Sequence, residues 1–294
     1  MASIKNLTLG AGIALAAVIL PASLFAGTQS KAVVETTTKS ALSGDLGFNF
    51  VSEYISRGAP QEVKGAIFQP YADVFYSIYE GDGFVNKVAL NLGVWSSFHS
   101  THTAAPAGAR VPAWYEFDYT PGVSVSFAKD FTLTVSYYDF DSPSAAFDES
   151  RNLNFSLAYN DANLLGAFAL HPHVTYLREL EGKATNGPVG TSGNYYEVGV
   201  APALPAFGPV TVTVPLTVGF GSNNFYYQNK GFGYFSGGPA VSVALPIPAK
   251  YGTWAFNASA TYYYLPTQNA WVYSPDNTIS QNRVVFSGGI GATF

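Results

Sequence analysis

The sequence predicts an all-β protein: a transmembrane, antiparallel up-and-down β-barrel of about twelve strands with both chain ends on the periplasmic side. Three observations predict it. Segments of membrane-spanning strand length recur with apolar and polar residues in alternation, the period of two that puts successive side chains on opposite faces. The connections between them alternate between short and long, as periplasmic turns and external loops do. Charged residues make up only 11% of the 294-residue chain while aromatics reach 16%, with 20 Tyr and 22 Phe, the rings expected at two membrane–water boundaries.

The chain opens on Met1 to Ala26, which reads as a secretory signal: Lys5, an apolar core from about Leu7 to Leu20, then Pro21 and small residues. Residues 27–41 are polar and aperiodic and read as a periplasmic leader, leaving 42–294 for the barrel. There is no cysteine, which excludes disulfides, thiolate metal sites and a lipid-anchored cysteine. The net charge of −5 and the lack of any basic run argue against nucleic acid as a partner.

Twelve strands follow, at about 44–57, 66–79, 84–98, 114–127, 131–140, 151–160, 168–179, 194–204, 210–221, 234–246, 253–265 and 282–294. Phe131, Leu133, Val135 and Tyr137 alternate with Thr132, Thr134, Ser136 and Tyr138. Leu153, Phe155 and Leu157 alternate with Asn152, Asn154 and Ser156, and Trp254 and Phe256 with Asn257 and Ser259. No stretch of the mature chain reads as a helix. Five short connections and six longer ones, about 58–65, 99–113, 141–150, 180–193, 222–233 and 267–281, complete the count.

The last segment carries the clearest amphipathic face: Val284, Phe286, Gly288, Ile290, Ala292 and Phe294. A terminal Phe closing such a strand resembles the signal by which Gram-negative cells recognise outer-membrane barrels. Phe286, Ile290 and Phe294 are therefore the candidate assembly residues, with the barrel-assembly machinery and outer-membrane lipid as partners. Phe50-Val-Ser-Glu-Tyr-Ile-Ser-Arg-Gly58, then Gln69-Pro-Tyr-Ala-Asp73 and Gly93-Val-Trp95, are similar to the opening of the Gcw_chp family of bacterial proteins. The resemblance covers the first third of the mature chain and implies an outer-membrane barrel but no particular activity.

No strong catalytic motif stands out. His99-Ser-Thr-His102 invites comparison with outer-membrane lipid hydrolases, but neighbouring residues on a strand face opposite ways, so His99 and Ser100 would not pair there. His171 and His173 share a face about 7 Å apart, which would admit a metal only with further ligands; water or Tyr hydroxyls serve them equally well. No cofactor is implied. The more informative set is the charge that would face the lumen: Glu53, Arg57, Asp73, Lys87, Glu116, Asp118, Glu197 and Arg283. Five carboxylates against three basic groups leave a difference of two negative charges. Glu116 and Asp118 together, placed near the external mouth, would draw cations. Arg57 and Arg283, near the external ends of the first and last strands, need a carboxylate such as Glu53 or Asp73 between them. The expected function is a narrow channel for small polar solutes or ions with weak cation preference. A lipid hydrolase, or a structural or adhesive barrel with a closed interior, is the alternative.

Overall fold

The computed structural model describes residues 40–101, 112–181, 192–226, 231–266 and 280–294. The signal sequence and nearly all of the leader, along with His102, therefore lie outside the described residues. Sixteen strands occur among the described residues: β1 (Leu42–Val51), β2 (Tyr54–Ser56), β3 (Ala59–Glu62), β4 (Ile67–Glu80), β5 (Val85–His99), β6 (Trp114–Phe127), β7 (Phe131–Asp141), β8 (Ser150–Tyr159), β9 (His173–Glu179), β10 (Asn194–Val200), β11 (Val210–Thr213), β12 (Leu216–Ser222), β13 (Phe232–Gly237), β14 (Ala240–Ala244), β15 (Thr253–Tyr264) and β16 (Asn282–Thr293). All but β2 and β3 form one antiparallel sheet. It closes because β16 pairs both with β1, from Asp45 opposite Thr293 to Val51 opposite Ser287, and with β15 along its whole length.

The wall counts as twelve strands, because two of them are each broken once. Val214-Pro215 separates β11 from β12, and Gly238-Pro239 separates β13 from β14. Proline has no N–H for the ladder. The two breaks lie against each other, the Gly238 N–H donating to the Pro215 carbonyl at 3.2 Å. A Cβ on Gly238 would lie 2.0 Å from the Ala260 carbonyl oxygen, so only glycine fits at this crossing.

Alternation sorts the faces. Leu46, Val74, Leu90, Leu92, Val123, Val174, Val198 and Phe256 point outward and are exposed, forming an apolar belt around the barrel. Rings bracket it. At the short-turn end Phe84, Phe127, Phe131 and Tyr159 stack in series. At the long-loop end Phe48, Phe50, Phe68, Phe98 and Trp114 do the same. An exposed apolar belt between two aromatic girdles is the exterior of an outer-membrane barrel. No helix among the described residues is long and apolar enough to cross a membrane; the strands do the crossing.

Three expectations about elements are corrected. The first strand does not continue to residue 57: the wall ends at Val51, and β2 and β3 form a separate hairpin folded into the lumen. The strand expected from residue 168 begins at His173, and a one-turn helix, Ala162–Leu165, with a 3-10 turn, Gly166–Phe168, occupies the connection before it. Asp161 organises that turn, accepting the N–H groups of Leu170 and His171 at 2.8–3.0 Å. The strands expected at 194–204, 210–221 and 234–246 are shorter or broken, for the proline reasons given.

Candidate functional site: the lumen and its inner hairpin

The hairpin turns at Arg57 (φ 47°) and Gly58 (φ 81°). Two successive positive φ angles make the tight primed turn that suits the right-handed twist of paired strands. Gly58 packs so closely on Tyr234 that an added Cβ would lie 2.8 Å from its ring.

Apolar burial holds the hairpin in place. Ile55, 3% exposed, sits in a cluster with Tyr138 and Phe140 of β7, Leu177 of β9, Tyr195 of β10, Tyr234 of β13, Tyr263 of β15 and Val285 of β16. Ile55 thus joins a core to which six wall strands contribute. Tyr54 packs with Ile67, Trp95 and Tyr115. Polar contacts fix the register: Tyr54 OH donates to Glu116 Oε2 at 2.7 Å, Tyr115 OH to Gln61 Oε1 at 2.9 Å, and Tyr226 OH to the Arg57 carbonyl at 2.9 Å. The hairpin therefore fills much of the long-loop half of the lumen.

The eight charged residues singled out from the sequence all belong to the lumen side, but not in one group. Glu53 and Arg283 form an ion pair at 2.8 Å, bridging the two ends of the wall where β1 meets β16. Arg57 is not beside Arg283; the hairpin carries it across the lumen. Its guanidinium lies 4.8 Å from the centre of the Phe140 ring and 5.8 Å from that of Tyr195. There it acts electrostatically on Glu116, Asp118 and Glu179. Glu116 and Asp118 do not line an open mouth. They are 7% and 1% exposed, covered by Tyr54 and faced by Arg57, so the pair gives no field at an entrance.

Glu197 is held from two sides, Tyr234 OH donating to its Oε2 at 2.8 Å and Tyr195 OH to the same oxygen. Its other oxygen lies 3.6 Å from His173 Nε2. Asp73 is buried, directly opposite Asp45 in the β1–β4 register; on its other side, a Cβ on Gly93 of β5 would strike its carboxylate. Lys87 lies at the short-turn end, 3.6 Å from Glu80 in a solvent-exposed pair worth under ~1 kcal/mol.

The histidines separate. His171 adopts φ 47° in the turn, with Nδ1 3.9 Å from Asp161 Oδ1, while His173 points into the lumen toward Glu197. Among the described residues no group of three His, Cys, Asp or Glu side chains is placed to hold a metal. His99 is 2% exposed, stacked on Tyr115 with ring centres 4.2 Å apart, and its Nε2 lies 2.8 Å from Ser97 Oγ. A Ser–His contact thus exists two residues apart on one face, but it faces the lumen, walled off from lipid. Ser100 Oγ instead accepts the Ala66 N–H. Phe286 and Phe294 lie on the outer face and are exposed; Ile290 shares that face.

Sequence reading missed Tyr54, Gln61 and Glu62 of the hairpin, and Asp45, Glu179, Tyr195 and Tyr234 of the wall. Arg57-Gly58 followed by Pro60 is the signal for a two-residue turn rather than a continuing strand.

No protein-family model matches the chain, and no curated protein does either. Solved structures match its shape. An outer-membrane channel from Pseudomonas putida F1 aligns with a TM-score of 0.53 at 8% identity, over 88% of this chain and 97% of that one. The NanC porin aligns at 0.46 with 11% identity, over 84% and 98%. Outer membrane phospholipase A from Escherichia coli gives 0.39 at 12%, over 85% and 92%. The fold is that of a closed, twelve-stranded outer-membrane β-barrel.

Proposed function

We propose that the protein is a narrow diffusion channel for small polar solutes across the outer membrane, with the inner hairpin as its constriction. One observation carries this reading. Below the hairpin many lumen-facing positions are hydroxyls and amides, among them Asn91, Ser124, Thr132, Thr134, Asn154 and Ser156, beside the charged Asp45, Asp73 and Lys87. A twelve-stranded barrel is wider than the eight-stranded kind that side chains fill, and small polar side chains at these positions, with Asn91, Ser124 and Thr132 half-buried and Thr134, Asn154 and Ser156 buried, make a lumen that water can wet where an apolar core could not. The hairpin narrows the other half to a side passage against β15 and β16, where a cavity remains. The fold shared with a bacterial outer-membrane channel supports the same reading, as does the approach of Ser97 and His99 only from inside the barrel.

The test is conductance of the refolded protein in planar bilayers, beside a variant in which residues 54–62 are replaced by a short Gly-Ser linker. Wild type is expected to pass a small current or small-solute flux, and the variant several times more. Equal behaviour of the two, or no passage through either, would discard the channel.

A further inference from the structure

At the base of the hairpin, on the side where the wall closes, lies a cavity between β1, β4, β15 and β16. Its volume is about 30 Å³, on a scale where one water needs ~10–15 Å³, so it takes two or three water-sized groups. Its polar lining is hydroxyl and amide, Asn49, Gln69, Ser259, Thr261 and Ser287. Each of these groups both donates and accepts, so each serves a solute hydroxyl or amide in either sense. Val51, Ile55, Tyr263 and Val285 are interspersed among them, Val51 opposite Ser287 and Val285 opposite Thr261. Ile55 belongs to the hairpin, so a solute passing the hairpin on this side would go through this cavity.

Charge at this level cancels. Among the described residues Glu53 is the one carboxylate lining the cavity, and Arg283 Nη1 holds it at 2.8 Å. Among the described residues the buried Arg283 Nε makes no hydrogen bond, and the pair as a whole brings no net charge to the cavity. The nearest lumen aspartates on these strands, Asp45 and Asp73, are each four residues from Asn49 and Gln69, about 13 Å down the strand. Arg57, Glu116 and Asp118 face the opposite side of the hairpin, among Phe140, Tyr195, Tyr54 and Trp95. An ion entering the cavity would shed its water against a neutral wall, which is costly. An uncharged solute exchanges one set of hydrogen bonds for another.

We propose that this cavity is the selectivity throat, passing uncharged hydroxyl- or amide-bearing solutes of the size of glycerol or urea and holding back ions, with Glu53 and Arg283 as the residues that keep it neutral. The proposal rests on the channel reading above and makes it specific.

Proteoliposomes carrying the wild type should swell readily in iso-osmotic glycerol or urea while planar bilayers show little KCl current. Glu53→Gln leaves Arg283 uncompensated and should raise the ratio of chloride current to glycerol flux on the order of tenfold, with an anion-selective reversal potential. Arg283→Gln should give the opposite sign. The exchange Glu53→Arg with Arg283→Glu should bring the ion current back toward wild type. Heat-modifiable migration on gels establishes that each variant is folded. Potassium chloride conductance in the wild type matching the glycerol rate, or single variants with unchanged selectivity, would overturn the neutral throat and leave the channel standing. Absence of glycerol flux through the wild type and the hairpin-shortened barrel alike would overturn the channel itself.

Discussion

The two halves of the lumen are built on the same strands and are different materials. In the long-loop half β7 presents Tyr138 and Phe140, β5 presents Trp95 and His99, and β15 presents Tyr263. These rings close on Ile55 and Tyr54 as a protein core would. A few residues lower the same strands present Thr132, Thr134 and Ser136, then Asn91, then Asn257 and Ser259. The alternation is unbroken from one half to the other, and only the size and polarity of the inward residue change. Facing is set by the period of two; filling is set by what stands at each inward position. A barrel therefore becomes plug or duct by residue choice along a strand, with no change of fold.

The comparison presupposes a closed wall, so the largest effect comes from opening it. Phe294 exchanges two backbone hydrogen bonds with Gly44, both 3.0 Å, and its ring covers that glycine. Deleting Phe294, or Phe294→Asp, should lower the amount of heat-modifiable, membrane-embedded protein several-fold and leave unassembled chain in the periplasm. Wild-type amounts would show that closure does not depend on this residue.

Next comes the core half itself. Ile55→Ala should cost about 2–5 kcal/mol in urea unfolding from detergent micelles, because its cavity is lined by rings anchored on separate strands. Thr134→Ala in the polar half, also buried but losing only a hydroxyl and a methyl, should cost about 1 kcal/mol. Equal costs would erase the distinction between core and duct. Tyr54→Phe sharpens it further: the ring stays and only the donor to Glu116 goes, leaving a buried carboxylate oxygen short of a partner. The expected loss is about 1–3 kcal/mol, read in the same unfolding experiment.

The smallest effect lies outside the membrane, in the turn before β9. Burial pulls the Asp161 carboxyl upward, but the Leu170 and His171 N–H groups outweigh it, and the net shift is below the ordinary Asp value. Its contribution is thus fully present above the unfolded Asp range, near ~3.9, and is lost as pH falls through the lower native value. Amide exchange at Leu170 and His171 should quicken there in the wild type. In Asp161→Asn the exchange should be faster at neutral pH and indifferent to that acid step, while both lumen halves remain unaffected.

Much of this architecture is legible in the sequence, since alternation fixes facing: Glu53, Asp73, Glu116, Asp118, Glu197 and Arg283 all point inward, as their apolar neighbours require. That Arg283 needs a carboxylate where the first and last strands meet follows too, with Glu53 and Asp73 both open to the role; the structure gives it to Glu53, without Arg57 beside it. What alternation does not contain is where a strand leaves the wall. Val51, Glu53, Ile55 and Arg57 keep the period of two whether they continue the sheet or fold back as a hairpin, so the inner hairpin is invisible to periodicity. It is visible only to turn chemistry, in Arg57-Gly58. Likewise Pro215 and Pro239 sit in runs whose apolar pattern continues across the break. The cavity is harder still, because Asn49, Gln69 and Ser259 are brought together by register across the closing seam rather than by spacing along the chain.

That seam imposes an order in time. Glu53 reaches Arg283 across 230 positions of sequence, and the partners of Ile55 run from β7 to β16. Until the final strand has arrived there is no ring of side chains for the hairpin to enter, only an open trough. The hairpin, second in chain order, is expected to seat last, as a bung is driven only after the staves are hooped. A protease that cuts at Arg57 would find its site during assembly and lose it on completion, making cleavage there a clock for the finished barrel.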